Sequence, residues 1–295
     1  MVEFASYHPL VNFLYFLFVI GFSMVFMHPV CLVISLFCGL AFSFLCSGRR
    51  NVLRSLIYMI PVFLLTAFLN PAFNHEGITI ITYLPDGNPL TLESLIYGIC
   101  ASCMLINVIT WFSCYCKVMT SDKFIYLFGK AIPSLSLILS ITLRFVPRFM
   151  SQFKAVAKAQ RALGKSPPSK DPIKKIRYGL TVLSIVVSKA LENAIETGDS
   201  MRARGYGNPG RTSFSIFRFY KKDIIALIFI LGFGIYTLVG SILGGMYFRY
   251  FPNIKSVEVS FYSVSVFVSY FLLCICPVFI EAMEVRKWTA LRSKT

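Results

Sequence analysis

The sequence predicts an all-α polytopic membrane protein with about six transmembrane helices and an inserted, basic domain of long amphipathic helices. Three observations carry that prediction. Of 295 residues, 56% are hydrophobic, and the mean hydropathy of +0.70 is that of a chain solvated largely by lipid. Apolar runs of membrane-crossing length recur along the chain, separated by polar turns. Positive charge is segregated: 29 Lys and Arg stand against 13 Asp and Glu, and residues 117–222 alone hold 20 against 5, so 15 of the 16 net charges lie in one block. The pI near 9.6 raises the question of nucleic acid. No RNA- or DNA-binding module is present, and retention of Lys and Arg on the inner side of a membrane accounts for the excess. The partner implied at this level is a lipid bilayer, with no nucleic acid.

Each element follows in order. Residues 10–27 form an apolar run long enough to cross a ~30 Å hydrocarbon core. It lacks the basic leader of a signal peptide, and a second apolar run, 30–46, follows a His28-Pro29 turn, so a membrane hairpin is expected. Gly48, Arg49, Arg50 and Arg54 mark an inner turn. A short third span covers 55–69, with Pro61 inside it. Residues 70–93 contain no Lys or Arg and carry Asn-Pro, Pro-Asp-Gly and Asn-Pro turns, as an outer loop should. The alternation over 78–84 suits a short hairpin closing at Asp86-Gly87. Residues 94–116 are the fourth span, 223–246 and 259–279 the fifth and sixth. Their outer turn carries Arg249 and Lys255; the tail carries Arg286, Lys287, Arg292 and Lys294. The expected organisation is a membrane part at 1–116, a cytoplasmic domain at 117–222, and a second membrane part at 223–295. Both termini are expected inside.

Within the basic block, Pro133 starts a helix whose apolar stripe is Val146, Phe149, Met150, Phe153, Val156 and Ala157. After a Lys-Ser-Pro-Pro-Ser-Lys break at 165–170, a second stripe runs through Ile173, Ile176, Leu180, Leu183, Val187, Ala190, Ala194 and Met201. These helices are too polar to span a bilayer, and their apolar faces need a protein or membrane partner. Both end on one chemistry: Arg161-Ala162-Leu163-Gly164, and 41 residues later Arg202-Ala203-Arg204-Gly205. Glycine past a helix end and arginine in its last turn are ordinary cap chemistry. The repetition points further, to two similar sockets on a partner, with arginine forks suited to carboxylates.

At these residues the chain resembles the transmembrane T component (EcfT, CbiQ-like) of energy-coupling factor (ECF) transporters. Ala203-Arg204-Gly205 stands in the family form within Ser200-Met201-Arg202-Ala203-Arg204-Gly205-Tyr206-Gly207. Leu143-Arg144-Phe145-Val146-Pro147, Ala159-Gln160-Arg161 and the outer Asn70-Pro71…Gly77…Leu90-Thr91-Leu92-Glu93 pattern extend the likeness over most of the chain. The resemblance implies a non-catalytic subunit of a multi-pass cell-membrane importer of vitamins or of cobalt or nickel. It implies docking of Arg161, Ala162, Leu163, Gly164, Arg202, Ala203, Arg204 and Gly205 onto two ABC-type ATPase subunits, and a separate substrate-binding membrane (S) subunit. The first tip departs from the family, with Leu163 where arginine is usual.

Other signals are weaker. Ala159-x4-Gly164-Lys165-Ser166 fits the loose phosphate-binding P-loop pattern, but a helix precedes it and Pro167-Pro168 follows, whereas the mechanism needs a strand before and a helix after. The nine cysteines lie in or beside spans, as small apolar packers do, and Cys100-Ala101-Ser102-Cys103 is the one CxxC. His8, His28 and His75 form no ligand cluster, and no nucleophile has an evident base; no catalytic residue, metal site or cofactor is predicted. The span cores hold Asn12 and Asn107 but no Asp, Glu, Lys or Arg, which argues against a carrier driven by protons or sodium. The alternative readings are a conventional ABC permease subunit and a membrane-anchored protein whose basic helices hold anionic lipid.

Overall fold

The computed structural model describes residues 3–83, 88–129, 133–165, 171–206, 217–256 and 260–292. The chain is an all-α polytopic membrane protein. Its contacts divide it into two compact units, Met1–Phe124 with Phe217–Thr295, and Ile125–Ile216.

In the first unit, a 3-10 turn at Glu3–Ser6 leads into α1 (Pro9–Val25), α2 (Pro29–Ser47), α3 (Arg49–Phe73) and α4 (Leu92–Val118), and later α8 (Lys221–Ile242) and α9 (Phe261–Arg292). Each of the six expected spans coincides with one of these helices. His8 and His28 cap α1 and α2 by accepting the N–H two residues on, each ahead of a proline in the first turn, so the His28-Pro29 turn of the hairpin is built. Two helices outrun the expected spans. Arg49 and Arg50 are wound into the start of α3, and α9 continues past residue 279 to Arg292. Hydropathy marks only the lipid-facing stretch of such a helix, while arginine and glutamate propagate it well beyond.

Among the described residues, six helices suffice by length and composition to cross a membrane: α2, α3, α4, α8, α9 and α7 (Pro172–Ala203) of the second unit, with α1 one step shorter at 17 residues. The charge pattern decides between α1 and α7. Between Arg177 and Lys189 lie only eleven uncharged residues, about 16 Å of helix against a core of ~30 Å. Helix α1 holds no charged residue and is about 26 Å long.

The core of this unit lies among α1, α2, α4, α8 and α9, where Tyr15, Phe16, Phe42, Trp111, Ile230 and Tyr270 are fully buried. A protein in lipid must satisfy its polar groups internally. Trp111 Nε1 donates to Ser35 Oγ at 2.9 Å, and Ser35 shares a hydrogen bond with Ser23 at 2.9 Å. Gly98 lets α3 and α4 close together: a Cβ there would stand 2.7 Å from the Ala67 carbonyl oxygen.

Outside the spans, β1 (Ile80–Tyr83) pairs antiparallel with β2 (Pro89–Thr91) in the register Ile80–Thr91, Thr82–Leu90, Tyr83–Pro89. This is the expected hairpin; its Asp86-Gly87 turn lies outside the described residues. Glu93 ties it down, accepting from Thr79 N at 3.2 Å and Thr79 Oγ1 at 2.9 Å. A second pair, β3 (Phe248–Arg249) and β4 (Lys255–Ser256), is too short to leave a periodic signal in sequence. At the start of α8, buried Asp223 accepts from Tyr220 N at 2.8 Å and from His8 N at 3.1 Å, joining the N-terminal segment to this helix.

The boundary between units falls within α5 (Ser121–Gly129), a helix too short to stand out in the sequence. Its Lys123 is buried and donates to the carbonyls of Ala5 and of Val118, the latter at 3.0 Å; burial holds its pKa below the ordinary lysine value.

The second unit is a pair of long helices, α6 (Pro133–Ala162) and α7. They run antiparallel: Tyr178 OH, near the start of α7, donates to the Ala157 carbonyl near the end of α6 at 3.0 Å, while Arg204 at the end of α7 shares a groove with Ser140 near the start of α6. The packing face of α7 differs from the expected stripe. Val182 and Val186 are buried, whereas Leu180, Leu183 and Val187 are exposed. On α6, Val146, Phe149 and Met150 of the expected stripe are likewise exposed. Each helix carries two apolar surfaces, one turned to the other helix and one left open, and periodicity alone reports only their sum.

Candidate partner-docking site

The two helix tips have one backbone geometry. At the end of α6, Gly164 adopts φ 78°, Gly164 N donates to Arg161 O at 3.0 Å, and Lys165 N to Gln160 O at 3.0 Å. At the end of α7, Gly205 adopts φ 75°, Gly205 N donates to Arg202 O at 2.9 Å, and Tyr206 N to Met201 O at 3.1 Å. Both are Schellman motifs, and only glycine takes the left-handed position without strain. Arg161 and Arg202 therefore occupy equivalent positions, as do Ala162 and Ala203, and Leu163 and Arg204. All six side chains are exposed.

The tips lie at opposite ends of the antiparallel pair. From the level of Ser140, beside the second tip, to Arg161 at the first is about twenty residues of helix, roughly 30 Å. The structure thus separates the two quartets and presents each at a solvent-facing end of the pair.

The second tip borders a groove. Arg204 lines a groove of about 710 Å³ between α6 and α7, together with Arg144, Arg148, Glu196, Thr197 and Tyr206. Among the described residues, none of the three arginines has a carboxylate within ion-pair distance; ion pairs elsewhere include Lys174–Asp171 at 3.1 Å and Lys222–Glu3 at 3.4 Å. Arg144 and Arg148 were not among the predicted docking residues. Their i, i+4 spacing places them on one helical face, but nothing in the sequence says that this face meets the tip of α7. At the first tip Leu163 is 72% exposed.

The same backbone bonds dispose of the P-loop pattern. A phosphate cradle needs free N–H groups, and those of Leu163, Gly164 and Lys165 all donate to carbonyls of their own helix end. Ser166, Pro167 and Pro168, the rest of that pattern, lie outside the described residues. Among the described residues no three His, Cys, Asp or Glu side chains are placed to hold a metal ion. Cys31, Cys38, Cys114 and Cys274 are buried in the main apolar core, and Cys100 packs with Leu32 and Tyr250.

The family described as "CbiQ: Cobalt transport protein" matches residues 1–216, which take in four of the membrane helices and both tips. The chain belongs to the CbiQ family. It is similar to curated proteins named "Energy-coupling factor transporter transmembrane protein EcfT". One, from Leuconostoc gelidum subsp. gasicomitatum, is 31% identical over 112 residues, 38% of this chain and 42% of the relative. Another, from Lactobacillus helveticus, is 30% identical over 118 residues, 40% of this chain and 41% of the relative. EcfT 1 of Listeria monocytogenes serotype 1/2a is 32% identical over 93 residues, 31% and 35%. The match thus spans about two fifths of the length of the first relatives. The family is the one that the tip motifs indicated, that of the transmembrane component of ECF transporters. The chain is thus a multi-pass membrane protein of the CbiQ family, with six helices among the described residues long and apolar enough to cross a membrane.

Proposed function

We propose that this CbiQ protein is the energy-coupling subunit of an ECF-type importer. Its two helix tips dock two ABC-type ATPase subunits, and it transmits their ATP-driven movement to a separate substrate-binding membrane subunit that imports a vitamin or a transition metal such as cobalt or nickel. The observation that carries the reading is the pair of Schellman tips. One motif, repeated in geometry as well as sequence and set at the two ends of an antiparallel pair, suits two copies of one kind of socket. A helix pair is stiff along its axis, so displacement at either tip moves the whole of it.

On this reading residues 117–222 are cytoplasmic, both termini face the cytoplasm, and the chain hydrolyses nothing itself. The open apolar stripes of α6 and α7, through Val146, Met150, Leu180 and Leu183 among others, are the surface offered to the substrate-binding subunit. The test is reconstitution. The chain is co-expressed with the ATPase and small membrane-protein genes of its own genome, purified through a tag on this chain, and placed in liposomes. Expected are co-purification of two ATPase copies and uptake that requires ATP. Purification of the chain without ATPases, from cells that contain them, would sink the proposal.

A further inference from the structure

The arginine groove continues into a second cavity. A slot of about 260 Å³ opens beside it, with Phe145, Arg148 and Asn193 in both walls. The remainder of the slot is apolar: Phe149, Val187, Ala190, Leu191 and Ala194. On one side of Arg148, then, stand three guanidinium groups with a single carboxylate, Glu196; on the other stands a narrow hydrocarbon-lined recess. We propose that this composite site binds one anionic phospholipid, its phosphate on Arg144 and Arg148 and part of an acyl chain in the slot.

Charge complementarity argues for the headgroup. Arginine is always charged, and its planar fork bonds phosphate oxygens two at a time. Among the described residues Arg144 and Arg148 have no carboxylate within ion-pair distance, so an anion entering the groove meets positive charge. The slot argues for the amphiphile. A free phosphate or a carboxylate of a protein partner would neutralise the arginines and leave the recess unfilled, whereas a phospholipid occupies both compartments. The proposal does not rest on ATPase docking. Arg204 is assigned to ATPase docking, and the variants below leave it in place.

The experiment uses the full chain in detergent, with phosphatidylglycerol or phosphatidylcholine added and retained lipid counted by native mass spectrometry. Expected is one phosphatidylglycerol per chain, with phosphatidylcholine retained far less. The double variant Arg144→Gln with Arg148→Gln lowers phosphatidylglycerol retention roughly tenfold or more. The pair Arg144→Lys with Arg148→Lys keeps most of it, which shows that the site's fold survives. Ala194→Phe, which fills the slot, lowers retention with all three arginines present. Equal retention of the two lipids overturns the proposal, as does retention unchanged in the glutamine pair. If inorganic phosphate displaces the lipid and Ala194→Phe has no effect, the groove is a free-anion site and the proposal fails. It fails equally if the glutamine pair keeps its lipid but loses bound ATPase, because the arginines then serve a protein carboxylate.

Discussion

At the scale of residues, the two tips differ by one side chain in an otherwise repeated frame. Leu163 and Arg204 hold equivalent positions, each just ahead of a left-handed glycine. If Arg204 meets a carboxylate in a partly buried socket, truncation strands that charge at a cost of about 2–5 kcal/mol, whereas an exposed pair is worth ~0–1 kcal/mol. Arg204→Ala should therefore weaken ATPase co-purification and uptake at matched membrane expression, and more than Arg161→Ala does. Leu163→Arg should leave the first contact intact or tighten it, and Leu163→Glu should damage it by meeting like charge. Intact assembly and uptake in a normally inserted Arg204→Ala variant would reduce both tips to helix caps. The tips also predict a negative result. With the Leu163, Gly164 and Lys165 N–H groups already donating, the purified chain should show no saturable ATP binding by equilibrium dialysis. Binding that Lys165→Ala abolishes would reverse that reading.

At the scale of elements, the antiparallel pair α6–α7 depends on a thin seam. Val182 and Val186 are its buried residues on α7, and Tyr178 supplies one hydrogen bond across it. On the proposed function, so slight a contact between 30- and 32-residue helices belongs to a unit that gains stability when partners cover its open stripes. Val182→Ala removes two buried methyl groups and opens a small cavity, a loss of roughly 1–3 kcal/mol. Hydrogen exchange on the full chain should show faster exchange across α6 and α7, with α1 unaffected. The cost should shrink in the assembled complex, because binding to the folded form shifts the opening equilibrium. Equal exchange in variant and parent would mean that the seam contributes nothing. The element boundaries follow the same logic. Helices α3 and α9 extend beyond their hydrophobic stretches because helix propagation is indifferent to lipid.

At the scale of the molecule, charge asymmetry is the basis of the proposed orientation. The hairpin of β1 and β2 lacks Lys and Arg, and the block 117–222 holds 20. On a background without native cysteines, Asn88→Cys should react with an impermeant thiol reagent in intact cells and Lys165→Cys should not; labelling at Lys165→Cys would overturn the orientation. The sequence by itself determined the membrane class, the six spans and the twin tips. Each of these is a local property: hydropathy over a window, charge per loop, glycine after a helix end. It also placed Arg144 and Arg148 on one face of α6. Tertiary structure alone decided that this face meets Arg204, that α7 packs through Val182 and Val186 rather than through Leu180 and Leu183, and that an apolar slot adjoins the arginines. Those facts depend on the rotation of one helix about another. When a helix is apolar on two sides, the sequence permits more than one rotation, and packing against the neighbour selects among them.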